Sequence, residues 1–245
     1  MAGHNKWSKI KRQKAATDSK RSKVWARISR EITVAAREGG GDPSMNAKLA
    51  LAVDKAKGEN MPKDNIERAI KRGTGEIEGQ EYEEGTYEGY APGGVAVFIE
   101  TLTDNTNRTV ADLRSLFSKN GGSLGKTGTV AYLFDRKGII QISTAGQDEM
   151  ALFELVVEAG AEDLEQDEDT FLVTTSVEAF DAVQTSLHEA SIPVADAALV
   201  RLPTTTVKLD PAQARKILTF VEKLEDHQDV QAVFTTLDDS ILETA

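Results

Sequence analysis

Ten lysines and arginines fall within the first thirty residues: Lys6, Lys9, Lys11, Arg12, Lys14, Lys20, Arg21, Lys23, Arg27 and Arg30, against a single acid, Asp18. Cations at that density attract a polyanion. Trp7 stands among them and can stack on a base, while His4, between Gly3 and Lys6, can stack on a base or donate to a phosphate. An aromatic interleaved with cations is the composition of a surface that stacks bases and neutralises phosphates. A bare charge run is often only a solubilising tail. Here Trp7 and the continuation of the cations past residue 18 favour a binding surface, with Gly3, His4, Lys6, Trp7, Lys9, Lys11, Arg12, Lys14, Lys20, Arg21, Lys23, Arg27 and Arg30 as its candidate residues.

Other chemistries find little support. The chain has no cysteine, which removes disulfides, thiol nucleophiles and cysteine-bound zinc or iron–sulfur centres. Residues 120–128, NGGSLGKTG, suggest a phosphate loop. A phosphate loop needs glycine where Asn120 stands, and it must follow a strand and open a helix. This stretch follows a predicted helix, so it reads as a helix stop with tight turns, with Lys126 as an additional candidate phosphate contact. His188 and His227 fall at predicted helix ends and read as surface or capping residues. Asp163, Glu165, Asp167, Glu168 and Asp169 read as a solvated hairpin rather than a metal site, and no G-x-S-x-G or H-E-x-x-H is present. The expectation is a non-enzymatic protein with no cofactor and no metal, and with no small-molecule substrate inferred.

The 245 residues carry a net charge of −11, which hides a strong division. Residues 1–75 hold 18 basic and 8 acidic side chains, net +10, and the remainder holds 11 and 32, net −21. No apolar run approaches the roughly 20 residues that span a bilayer. A secretory signal is missing its apolar region, a mitochondrial transit peptide is the competing reading of a basic start, and the expected location is the cytoplasm.

Three helices are expected in the basic segment. The first runs from Thr17 or Asp18 to the Gly39, Gly40, Gly41 stop, with Val24, Trp25, Ile28, Ile32 and Ala35 on one face and Lys20, Lys23, Arg27 and Arg30 on another. Asp42 and Pro43 open a second helix, and Pro62 opens a third that ends at Gly73. Residues 74–86 read as a linker or hairpin lead-in. Strands at 87–90 and 95–103, a helix, and a strand at 129–134 follow. Residues 138–203 give a complete βαββαβ order, which is ferredoxin-like, and 204–235 give a further βαβ. The expected fold is α+β, an N-terminal three-helix domain followed by two ferredoxin-like α/β domains, one inserted in the other. The boundaries are 1–75 for the basic helical domain, 76–137 plus 204–245 for the discontinuous domain, and 138–203 for the insert.

Several long blocks, MAGHNKW, KAATDSKR, KAKGENMPKDNIERAIKRGTGE, YEGYAPGGVAVFIETLTDNTNRT and NGGSLGKTGTVAYLFDRKG, closely resemble the YebC/PmpR family over residues 1–138. The resemblance implies three domains. It implies a transcriptional regulator that binds promoter DNA or, as in a mitochondrial translational activator of cytochrome oxidase, a link to the ribosome and relief of stalling at proline-rich stretches. The family usually has serine at Asn5, and a small residue with Gly-Ser where this chain has Lys126 to Thr129. With the MAGH block at residue 1, the resemblance argues against a cleaved transit peptide.

The resulting expectation is a cytoplasmic, non-enzymatic, nucleic-acid-binding regulator of gene expression acting on DNA through its basic N-terminal domain. The alternative is a ribosome-associated translation factor that binds ribosomal RNA through the arm at residues 2–14. A third reading is a scaffold whose acidic domains bind basic proteins. No membrane partner is expected.

Overall fold

The structure, a computed structural model, describes residues 18–238, with the side chains of 18–21 excepted. Its first element is α1, Asp18–Gly39. Ile28, Ile32, Ala35 and Ala36 recur at helical spacing on α1 and are buried against α2, Ala47–Gly58, and α3, Lys63–Gly73. Leu49, Ala52, Val53, Ala56, Met61, Ile66 and Ala69 complete this core. Gly73 lets α1 and α3 approach closely, since a Cβ there would lie 2.3 Å from the carbonyl oxygen of Thr33.

The start of α2 differs from the sequence expectation. Asp42 closes a turn, its carboxylate accepting from the amide and hydroxyl of Ser44, and the N-cap is Asn46. The Asn46 side chain is buried and fully engaged. Its oxygen accepts from Leu49 N at 3.0 Å, and its amide donates to the carbonyls of Ala35 at 2.8 Å and Gly40 at 2.9 Å. One residue thus caps α2 and satisfies the C-terminal end of α1, which a cap at Asp42 cannot do.

Two four-stranded sheets follow. The first contains β1, Glu83–Ala91, and β2, Val95–Thr103, joined as an antiparallel hairpin; then helix α4, Thr106–Lys119, leads to the two-residue β3, Ser123–Leu124. The second contains β4, Phe134–Ser143; β5, Ala161–Asp167; β6, Thr170–Thr175; and β7, Val194–Pro203, with helices α5, Glu149–Glu158, and α6, Phe180–Glu189. The chain then returns through β8, Val207–Lys208, and α7, Pro211–Glu225, to β9, Val230–Thr235, and β10, Leu237–Asp238. The fold is α+β.

The spatial orders are β3-β1-β2-β9 and β5-β6-β4-β7, and all neighbours are antiparallel. The second order is that of a ferredoxin-like βαββαβ sheet. The first has the same layout with different connections. There β1 precedes the β2-α4-β3 crossover instead of following it, and the last strand, β9, arrives after the long excursion. Among the described residues, 133–205 form one compact unit, and 18–132 with 206–238 form another that includes the helical segment.

Two predicted strands take other roles. Within 129–134, Ala131–Leu133 form a short 3-10 turn, and Phe134 opens β4, which pairs with β7. The amides of Val130 and Ala131 are bound by the Glu88 carboxylate, so they cannot join a ladder. Of 204–209, only Val207 and Lys208 form a strand, parallel to β10, because Asp210 caps α7 immediately afterwards. The terminal segment therefore adds one strand to the four-stranded sheet, not two. The place left open is filled by β1, which begins at Glu83 within the stretch expected to be a linker.

Helices α4 and α7 cover one face of the first sheet, burying Val95, Val97, Ile99, Leu113, Phe117, Ala214, Ile217, Phe220 and Leu224. Phe117 and Phe220 meet edge to face with centroids 5.0 Å apart, joining the two helices across a gap of about a hundred residues in sequence. Asn46→Ala is expected to lower stability by about 2 kcal/mol, because it removes a cap and takes a donor from the buried carbonyl of Ala35 and the part-buried carbonyl of Gly40. Urea denaturation measures this; an unchanged midpoint would contradict the capping role.

Candidate nucleic-acid interface

The sequence-selected residues divide by position. Gly3, His4, Lys6, Trp7, Lys9, Lys11, Arg12 and Lys14 lie outside the described residues. Lys20 and Arg21 belong to the first turn of α1. Lys23, Arg27 and Arg30 follow at i, i+4 and i+7, a spacing that places them on one side of the helix.

That side meets the end of α7. Arg27 donates to the carbonyl of Glu225 at 2.6 Å, Arg30 donates to the carbonyl of Gln228, and Lys23 pairs with Asp226 at 3.2 Å. Cations at a helix C-terminus meet its unpaired carbonyls and the negative end of its dipole. Burial lowers the pKa of Arg27, opposed by the raising influence of Glu225 and Glu31. Arg30 also lies 5.5 Å from the centre of the Tyr82 ring. Arg27 and Arg30, expected on a phosphate-facing surface, thus have donors engaged within the chain. Their donors hold one part of the chain to another, while Lys23 is 57% exposed and keeps a free side.

Beneath Arg30 sits Asp229, 1% exposed. One carboxylate oxygen accepts from Arg108 at 2.9 Å, Thr109 at 2.8 Å and Thr103 at 3.2 Å; the other lies 3.7 Å from Arg30. Burial alone would push the Asp229 pKa up, but bonds from Arg108 and Thr109 and the charges of Arg108 and His227 hold it below the ordinary carboxylate range. Arg108 is raised by its bonds to Asp229 and Asp104. The stretch TLTDNTNRT thus serves the structure, with Asn105 capping α4 and Thr103, Arg108 and Thr109 binding the buried acid. His227 is also engaged, with Nδ1 accepting from Asp229 N and Nε2 facing Asp112 at 3.2 Å.

The glycine-rich loop at 120–128 is organised by a second buried acid, Glu88, 3% exposed. Its carboxylate accepts from Gly128 N at 2.7 Å, Val130 N at 2.6 Å and Ala131 N at 2.9 Å, and its carbonyl accepts from Gly125 N at 2.7 Å. Those amides point into the protein, so they form no phosphate cradle. Lys126 stays exposed at the loop, and Tyr132, 71% exposed, follows it in the same segment. Tyr90 is raised chiefly by its hydrogen bond with Tyr132.

Sequence reasoning passed over α3. Arg68, Lys71 and Arg72 are exposed and have no ion pair among the described residues, whereas Lys55, Lys57 and Lys63 are paired with Glu31, Asp54 and Glu67. The i, i+3, i+4 spacing was a readable signal for one cationic face. It was outweighed by the denser cluster upstream.

Because Asp229 has a depressed folded-state pKa, its stabilising contribution is complete above the unfolded value of about 3.9 and is lost as pH falls through the lower folded value. Asp229→Asn is expected to lose about 3 kcal/mol near neutral pH, with the gap to wild type closing in acid. Denaturation curves taken across the acid range measure it, and a gap that does not narrow would contradict the charged network.

The geometry can be set beside known proteins. Residues 5–76 match the model for the TACO1/YebC protein N-terminal domain, and 82–237 match that for the TACO1/YebC second and third domain. A probable transcriptional regulatory protein of Salinibacter ruber is 56% identical over 97% of this chain and 93% of its own length. One from Rubrobacter xylanophilus is 55% identical over 97% and 96%. The crystal structure of a conserved hypothetical protein from Aquifex aeolicus superposes with a TM-score of 0.81 at 42% identity, covering 90% of this chain and 91% of that one. With both segments matched in order and relatives aligned along nearly the whole length, the chain belongs to the TACO1/YebC family.

Proposed function

We propose that this protein is a non-enzymatic regulator of gene expression that binds nucleic acid through its N-terminal helical domain and the basic arm preceding it. The observation that carries this reading is the separation of charge, net +10 in residues 1–75 against net −21 in the rest. Arg68, Lys71 and Arg72, which have no ion pair among the described residues, extend it onto the folded helices. Names borne by relatives, probable transcriptional regulatory proteins, support DNA as the target. On this reading the arm residues Gly3, His4, Lys6, Trp7, Lys9, Lys11, Arg12 and Lys14 make the closest contacts. Lys20, Arg21 and Lys23 continue them, and Lys126 is a separate contact.

One observation favours the second reading, a ribosome-associated translation factor on ribosomal RNA. The exposed side chains of α3 are Lys63, Asp64, Glu67, Arg68, Lys71 and Arg72, and its one asparagine, Asn65, is half-buried. Lysine and arginine can meet phosphates, which fixes position on a strand without reading its sequence. Irregular RNA recognised by shape and stacking suits such a surface and an arm carrying Trp7.

Lys9, Lys11 and Arg12 replaced together by Ala are expected to weaken binding and flatten the plot of log K against log salt by about 2 to 3 units, since each phosphate contact contributes about 0.7 to 0.9. An unchanged slope would contradict the phosphate assignment. Promoter-selective protection that survives excess competitor DNA supports the DNA reading. Comigration with ribosomes that vanishes on deleting residues 2–14 supports the RNA reading. Failure to bind either nucleic acid at about 50 mM salt would overturn both.

A further inference from the structure

After residue 75 the chain is strongly acidic and holds six lysines: Lys119, Lys126, Lys137, Lys208, Lys216 and Lys223. Three of them, Lys119, Lys216 and Lys223, line one cavity of about 540 Å³ between the C-terminal end of α4, the Pro92-Gly93 turn and the outer side of α7. Among the described residues, no aspartate or glutamate lines it. Its apolar wall is formed by Pro92, Leu209 and Ile217. In a protein with 32 acids in this part of the chain, an acid-free concavity with three ammonium groups is the reverse of what composition predicts.

The ordinary role of lysines beside a helix C-terminus is to meet its carbonyls. Here those carbonyls have other partners. Asn120 N reaches Leu116 O and Phe117 O, Asn120 Nδ2 donates to Leu116 O at 2.7 Å, Gly121 N reaches Ser118 O, and Gly122 N reaches Phe117 O at 2.9 Å. Gly121 adopts φ +75°, as this closing loop requires. Lys223 donates to Asn120 Oδ1 at 3.0 Å, which fixes its stem over the cavity and leaves further ammonium hydrogens free. Lys119 and Lys216 have no ion pair among the described residues. Gln213, Lys216, Thr219 and Lys223 recur along one side of α7; the hydroxyl of Thr219 donates to the carbonyl of Arg215, so Gln213, Lys216 and Lys223 are the donors the helix presents to this space.

We propose that this cavity is a binding site for a phosphate ester of nucleotide size, with the phosphate among Lys119, Lys216 and Lys223 and the organic body against Pro92, Leu209 and Ile217. Lysines bind phosphate as point charges, and the volume falls within the range of small-molecule pockets. The phosphate ester has two sources, a free nucleotide or one nucleotide of a bound strand. The site is separate from the basic arm and does not depend on the function proposed above.

Titration calorimetry of the full chain at about 50 mM salt decides it, with adenosine monophosphate, uridine monophosphate, inorganic phosphate and a ten-nucleotide single-stranded RNA as probes. A nucleoside monophosphate is expected to bind with Kd below about 1 mM. Lys119→Ala with Lys216→Ala should weaken it at least tenfold, Lys216→Arg should retain it, and all variants should keep the wild-type melting temperature. If only the RNA responds to the pocket variants, the phosphate ester is part of a strand and the site stands; the Lys9, Lys11, Arg12 variant then separates this contact from the arm. The proposal is overturned if no probe binds saturably, if the double variant leaves every affinity unchanged, or if inorganic phosphate binds as tightly as the nucleotides.

Discussion

The carboxylate of Asp229 is where three parts of the chain are joined. It is buried, and it gathers Thr103 at the end of β2, Arg108 and Thr109 at the start of α4, and the guanidinium of Arg30 from α1. A buried charge of this kind is tolerated only with several strong donors. That requirement fixes the α7–β9 turn against the β2–α4 turn, and with it the position of β9 beside β2. The helical segment is held by the same feature. Arg27 and Arg30 close the α7 end from above, and Asp229 supplies the charge beneath.

Glu88 does the equivalent work at the other end of the sheet. It stands on β1, and its carboxylate takes three amides of the segment 128–131, which stops that segment from pairing and sends the chain into the inserted unit at Phe134. Gly89 beside it permits the close approach of β3, since a Cβ there would lie 2.4 Å from the carbonyl of Ser123. Two buried acids therefore organise the loops of a sheet whose apolar core is ordinary. Each converts a flexible connection into a defined one, because leaving a buried carboxylate without its donors costs more than the order lost in fixing the loop.

The functional surfaces divide along the same lines. Arg27, Arg30 and Arg108 donate to carbonyls and to a buried carboxylate within the chain. Cations without an ion pair among the described residues include Arg68, Lys71 and Arg72 on α3, and Lys119 and Lys216 at the α4–α7 cavity. A charge count makes no distinction between these groups. The partners do, and partners belong to the folded chain.

Elements whose signal is local can be read from the amino acids alone. The 3.6-residue recurrence of Ile28, Ile32 and Ala35, the Asp210-Pro211 helix start and the βαββαβ order of the insert were all legible, because each depends on neighbours a few residues apart. The basic start against the acidic remainder was equally plain, and so was the family resemblance carried by the long N-terminal blocks. Long-range contacts made Asn46 and not Asp42 the cap of α2, extended a strand through residues 83–86, and turned 129–131 toward Glu88. They also brought Arg27 and Arg30 to the end of α7. Each of these rests on a partner far away in the sequence, such as Ala35 for Asn46 or Glu225 for Arg27. Hydrogen bonds and buried charges are settled by who is within reach after folding, and no periodicity records that.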